Sequence, residues 1–345
     1  PSVAQVRSVL LRVNPRAYAE VHSVAVSRLQ DLQKSLAERL TSVGAAAVRS
    51  RSLLSSMEMD PPADQWTAWT SVYGTSGNRP GQSADAGGSS WSNFGNITAV
   101  ERNFGLLTVG LLGSVGTGTD HINSPDSSIV SDSWHTGLYS SMPLNERAFL
   151  DAAFLCGQAE NVVKRPLPYL ADSTGARSTV LSQEWVLQMG MGLQMAPKQT
   201  DWSALLSAKF AYGSVHVGSV SESGVGALGM DAAGHSDPIL LSRIGLEIVK
   251  ESKVYGTPVR TAVSIAGTRD QKTDSKSVGV HLQGNPDLEW MVTSERYSPN
   301  SLNFGASIEI GVSDRRTLKI YGEQNIQPGS SGGVSRGGVS FTIGF

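Results

Sequence analysis

Cysteine is almost absent. The one residue, Cys156, excludes an internal disulfide, and no Cys and His set has the spacing of a structural zinc site. Charged residues make up only 17% of 345 positions and nearly cancel, at a formal net charge of −2. That balance excludes a polyanion binder held by bulk electrostatics, and no basic run with interleaved aromatics suggests nucleic acid. No window approaches about 18 consecutive apolar residues, so no transmembrane helix is predicted. The chain opens at Pro1 without a basic segment leading into an apolar one. Any export signal is therefore expected upstream, and the chain reads as the C-terminal part of a longer precursor. Its length fits two ordinary domains or one large barrel or sandwich.

Two grammars are present. After Asn14-Pro15, a plausible helix start, apolar residues recur at Val21, Ala25, Leu29, Leu32, Leu36 and Leu40. The other face carries Glu20, Arg28, Asp31, Lys34, Glu38 and Arg39. The spacing predicts a helix over about 17–40, a rod of roughly 34 Å at about 1.5 Å per residue. Such a stripe by itself more often means an ordinary core helix.

From Trp66 the period becomes two. Leu181, Trp185, Leu187, Met189, Met191, Leu193 and Met195 share one face with Gln183, and Leu302, Phe304, Ala306, Ile308, Ile310 and Val312 share another. Many runs exceed ten residues, long for a soluble strand and suited to the ~9–11 that a tilted membrane-crossing strand needs. Twelve segments begin near residues 65, 90, 104, 128, 146, 178, 203, 239, 258, 301, 316 and 334. Tight connections at Glu101-Arg102-Asn103, Pro143-Leu144-Asn145 and Asp314-Arg315-Arg316 alternate with long Gly, Ser and Asp-rich ones, such as 75–89, 160–177, 219–237 and 270–300. Short turns at one end and long loops at the other are the signature of an outer-membrane barrel.

Asp151, Glu184, Lys209, Arg243, Glu247, Arg260, Glu309, Lys319 and Glu323 fall opposite the apolar faces. In a soluble sandwich they would form the solvated face. In a barrel they belong in a wet lumen, because a Lys or Arg facing lipid at mid-depth costs about 2–4 kcal/mol. With half of each strand facing inward, a mean hydropathy of −0.13 is compatible with a membrane protein. Of Trp66, Trp69, Trp91, Trp134, Trp185, Trp202 and Trp290, about half are expected in aromatic girdles.

Enzyme-like spellings lack their context. Gly333-Val334-Ser335-Arg336-Gly337 matches a nucleophile elbow, but no His follows it. Gly224-Val225-Gly226-Ala227-Leu228-Gly229 matches a dinucleotide fingerprint, but no helix begins there, and a flexible surface loop is expected. The six histidines show no i, i+4 pairing, so no metal, cofactor or catalytic site is predicted.

The order of features resembles the autotransporter β-domain, the translocator of type V secretion. The pieces are Pro15-Arg16-Ala17-Tyr18 on a helix ending Arg39-Leu40, Trp66 leading the first strand and Leu138-Tyr139-Ser140-Ser141. To these add Phe149-Leu150-Asp151, Ser242-Arg243-Ile244-Gly245-Leu246, Tyr321-Gly322-Glu323 and the terminal alternation Phe341, Ile343, Phe345. Where the family often carries Phe-Thr-Glu before the eighth strand, this chain reads Val220-Ser221-Glu222-Ser223-Gly224. An Asn-Asn pair, at which some members cut themselves, is missing from the helix, so no self-cleavage is expected there.

The resemblance implies an all-β fold: a 12-stranded antiparallel transmembrane β-barrel with an N-terminal α-helix threading the lumen. Residues 1–64 would be the passenger-end linker and pore-spanning helix, and 65–345 the translocator barrel. The implied function is the outer-membrane pore and anchor for export of an upstream passenger to the cell surface, without enzymatic activity or cofactor. Tyr18, Arg28, Lys34 and Arg39 would line the pore helix, its cations meeting lumen carboxylates, and Phe341, Ile343 and Phe345 would be the C-terminal insertion signal. Implied partners are outer-membrane lipid, the chain's own passenger and the barrel-assembly machinery, with the barrel a monomer. A porin or adhesin barrel, or a barrel enzyme with His121 and Asp120 or His235 and Asp237 at its rim, remains the alternative.

Overall fold

The computed structural model describes residues 16–57, 65–79, 88–123, 126–167, 175–195, 201–271, 277–294, 299–313, 315–327 and 332–345. Among the described residues one α-helix, α1 (Arg16–Met57), precedes sixteen strands. They are β1 (Gln65–Arg79), β2 (Ser89–Asn103), β3 (Thr108–Asn123), β4 (Asp126–Pro143), β5 (Ala148–Arg165), β6 (Ala176–Met195), β7 (Trp202–Val217), β8 (Val220–Ser221), β9 (Met230–Ala232), β10 (His235–Val254), β11 (Thr257–Asp270), β12 (Ser277–Leu282), β13 (Asn285–Thr293), β14 (Asn300–Ser313), β15 (Arg316–Ile326) and β16 (Gly333–Gly344).

Twelve of these close into an antiparallel barrel in the order β1-β16-β15-β14-β11-β10-β7-β6-β5-β4-β3-β2. The seam joins the first strand to the last, from Thr67 opposite Gly344 to Asn78 opposite Gly333. Beyond it the amides of Trp66 and Phe345 each donate to the other's carbonyl, at 3.2 and 2.9 Å. Closure leaves no unpaired edge for lipid to meet. Side chains alternate outward and inward, so along β6 Leu181, Trp185, Leu187, Met189 and Met191 stand exposed while Val180, Ser182, Glu184 and Val186 are buried.

Several local expectations are corrected. The helix does not stop at Leu40. It runs 42 residues, about 63 Å at 1.5 Å per residue and twice the ~30 Å hydrocarbon slab. Ala45-Ala46-Ala47 sustains it, and Ala45 and Val48 extend the buried stripe against Phe149 and Leu205. The start proposed at Asn14-Pro15 lies outside the described residues. Glu101, Arg102 and Asn103 form no turn; they end β2, and the reversal falls at 104–107. At the long-loop end β3 and β4 are joined by two residues, because both strands continue to the reversal.

The long connections are not all irregular. Segments from two of them pair into a second sheet, β13-β12-β9-β8. The Gly224–Gly229 stretch is largely exposed, as expected of a surface loop, and holds a short 3-10 turn at Gly226–Leu228, with Gly224 and Gly226 at positive φ. Ser335 lies within β16, its hydroxyl donating to Gln324 Oε1 at 2.7 Å, and not on a strand-to-helix elbow.

Candidate functional site

Helix α1 lies in the barrel lumen, and residues Ala17 to Leu40 contribute much of the molecule's buried core. The lumen is not uniformly polar, as the alternation suggested. An aliphatic surface made by Leu112, Ile122, Ile129, Leu155, Val163, Val180, Val186 and Val215 receives the stripe of Leu29, Leu32, Leu36 and Leu40. The rod therefore seats against the β4–β7 arc. On its other side a cavity of about 180 Å³ is lined by Lys34 and Glu38 of the helix and by Arg243, Lys319 and Glu323 of the wall. Helix and wall are both amphipathic, and like faces meet. Each leucine so buried contributes about 1.5–3 kcal/mol relative to exposure.

Polar contacts tie the rod to the wall at three levels. At the long-loop end, Tyr18 Oη donates to Glu222 Oε1 at 2.6 Å and accepts from Ser178 Oγ at 3.2 Å. Glu222 is itself held by Arg165, at 2.9 Å from Nε and 2.5 Å from Nη2, and by the Met230 amide at 3.0 Å. Thus Glu222, within the Val220-Ser221-Glu222-Ser223-Gly224 stretch, supplies the carboxylate on which the helix tyrosine docks. Nearby, Arg79 lies 3.9 Å from Glu20 and 3.8 Å from Asp120.

At mid-height Arg28 pairs with Glu184, whose second oxygen sits 2.9 Å from His135 Nε2. Asn93 donates to Asp31 Oδ2 at 3.1 Å. Lower down, Lys34 lies 3.6 Å from Glu323, which Arg243 and Arg336 also approach, at 3.6 and 3.7 Å. Glu38 meets Arg336 at 2.8 Å and Lys319 at 3.7 Å.

At the short-turn end Arg39 pairs with Glu101, to which Tyr139 Oη donates at 2.8 Å, and Trp69 Nε1 donates to Tyr139 at 2.7 Å. Lys209 lies 3.6 Å from Asp151 and donates to the Ala37 carbonyl at 2.6 Å. Phe149, fully buried, is gripped between Gly44 on the helix and Gly192 on β6; a Cβ at either would overlap its ring.

The nine wall charges read from the sequence all face the lumen side, but only some reach the helix. Glu184, Glu323, Lys209 and Lys319 do; Arg260 instead bridges Glu247 at 3.0 Å and Glu309 at 3.5 Å within the wall. Asp151 and Arg243 act through neighbours on the wall. Sequence reading missed Glu101, Arg165, Glu222 and Arg336 as helix-anchoring groups. Strand parity was the signal for Arg336, which is buried beside outward-facing Val339 and Phe341.

Outside, Phe341 and Phe345 are exposed with Ile343 half-buried between them. Trp66, Trp134, Trp185 and Trp202 face outward, whereas Trp69 and Trp91 point into the lumen.

This arrangement can hold a rod inside a closed tube, one face on aliphatic wall and the other on charged groups. Ion pairs across such an interface bring small net stability but cost about 3–5 kcal/mol when one partner is removed.

Comparison with known proteins gives the same picture. The family model described as Autotransporter beta-domain matches residues 68–323. The fold is similar to the translocator domain of the autotransporter NalP from Neisseria meningitidis, with a TM-score of 0.68 at 14% identity, covering 94% of this chain and 99% of that one. It is also similar to the β-domain of the Bordetella autotransporter BrkA, at 0.56 and 11% over 81% of this chain and 98% of that one. The transport unit of AIDA-I from Escherichia coli gives 0.56 and 12%, over 81% and 90%. No curated protein matches at the sequence level.

Proposed function

Because the chain belongs to the autotransporter β-domain family and is an outer-membrane translocator domain, we propose that its barrel is both conduit and anchor for a passenger joined upstream of α1. Residues 1–64 then form the passenger-end segment with the pore helix, and 65–345 the barrel. The observation that carries this reading is the seating of α1 inside a closed barrel, with Tyr18 at the long-loop end and Arg39 at the short-turn end. That polarity supports an upstream chain on the extracellular side and a helix exit toward β1 on the periplasmic side.

Transport of this kind needs no catalytic residue. The wall supplies a polar path; folding of the passenger outside supplies a direction. After export α1 stays behind and fills the tube, its leucine stripe against the aliphatic arc and its charges on Glu184, Glu323 and Glu101. Tyr18, Arg28, Lys34 and Arg39 are the groups that seat it. One chain closes the barrel, so the domain acts as a monomer in outer-membrane lipid. Phe341, Ile343 and Phe345, on the outward side of the last strand, serve as the signal read by the barrel-assembly machinery.

Removing residues 17–40 is expected to raise single-channel conductance in planar bilayers well above that of the full chain. Equal conductance in the two proteins would overturn the reading.

A further inference from the structure

Three side chains at the long-loop end of the lumen form a further contact between helix and wall. His22 projects from α1. His235 and Asp237 project from the start of β10, where a spacing of two puts both on one face. His22 Nδ1 lies 3.7 Å from Asp237 Oδ2, and His235 Nε2 lies 3.7 Å from the same oxygen. One nitrogen from each ring and one carboxylate oxygen fall within 4.8 Å of one another. The imidazole centroids are 6.2 Å apart. His22 is buried, the other two half-buried. Register sets His235 opposite Val217 and Asp237 opposite Val215, so buried valines back the cluster.

The separations suit an ion pair and also a shared ion. At 3.7 Å they are longer than hydrogen bonds. They approach the ~3.4 Å between neighbouring ligands that bonds of ~2.1 Å impose around a tetrahedral ion. Two imidazoles and one carboxylate form the borderline donor set suited to Zn²⁺ and its neighbours in the first transition row. Histidines far apart in sequence, one on the rod and one on the wall, gave no spacing signal.

We propose that His22, His235 and Asp237 bind a divalent transition ion of the Zn²⁺ type, water taking the fourth position, and that the ion staples α1 to β10. Because the ligands come from two elements, the complete site exists only with the helix seated. An ion bound there favours the seated state by mass action, about 100-fold when its concentration is 100 times the dissociation constant. The site requires only the seated helix and does not depend on export.

The test uses the full chain, without a histidine tag, refolded in detergent. Calorimetry with Zn²⁺ is expected to show one ion per chain, and Co²⁺ to give the visible bands of a tetrahedral complex that Zn²⁺ displaces. His22→Ala and Asp237→Asn should each weaken binding by at least the ~10–100-fold that loss of a mere supporting partner costs a metal site. His281→Ala should not, since that ring sits on an exposed hairpin beside Glu289 at 3.9 Å. His235→Gln removes a ligand without touching the helix and serves where His22→Ala fails to refold. No saturable binding, or equal binding by wild type, His22→Ala and His235→Gln, would overturn the site. In bilayers Zn²⁺ should reduce openings of the wild type and not of His22→Ala; identical behaviour of the two would overturn the staple.

Discussion

Arg28 and Glu184 are both withdrawn from solvent, and His135 occupies the carboxylate's other oxygen. Replacing Arg28 with Met leaves a buried anion short of its main partner. The cost expected is about 3–5 kcal/mol of helix docking, read as the open-to-closed dwell ratio in planar bilayers. The double variant Arg28→Met with Glu184→Leu should lose less than the two single variants summed, because two apolar groups meeting leave nothing uncompensated. Tryptophans supply a second residue-scale check. In single-tryptophan variants reconstituted in brominated lipid, Trp66, Trp134, Trp185 and Trp202 should be quenched, while Trp69 and Trp91, both buried in the lumen, should not. What the sequence made legible here was parity, which put all nine wall charges on the lumen side. It did not reveal partners. Glu101 was assigned to a turn and Arg336 was absorbed into a false elbow, so two of the strongest helix contacts went unread.

Among the elements, α1 illustrates how far periodicity carries. Its stripe and polar face were readable to Leu40, and the chemistry beyond was not, because Thr41-Ser42-Val43-Gly44 breaks the leucine rhythm. The structure explains the break: Gly44 must be small to let the helix close on Phe149. Gly44→Leu should therefore cost about 1–3 kcal/mol of docking through overpacking and raise the open fraction. Adding Phe149→Ala should restore most of the closure, and failure to restore it would show that Phe149 is not the contact that matters. Between strands, sequence spacing found each barrel segment but could not pair β8 and β9 with β12 and β13. Those contacts are made between loops far apart in the chain, and no local rule links them.

For the whole molecule, the family motifs and the two-residue rhythm sufficed to identify a twelve-stranded barrel. They did not show that its interior is divided. Leu111 and Leu112, or Phe154 and Leu155, sit side by side with one facing out and the next buried inside. Such pairs read as a continuous apolar run, whose inward member is invisible until the helix that covers it is in place. The two-faced lumen is what holds α1 off centre and leaves the cavity, with its charged and apolar lining, along the β10–β15 side.

The seam between β1 and β16 carries a kinetic consequence. Thr67 meets Gly344 across it. Bringing together ends separated by ~280 residues costs about 5 kcal/mol of loop entropy before any ladder forms. No enclosed passage exists until the final strand, Gly333–Gly344, has been made and latched onto β1.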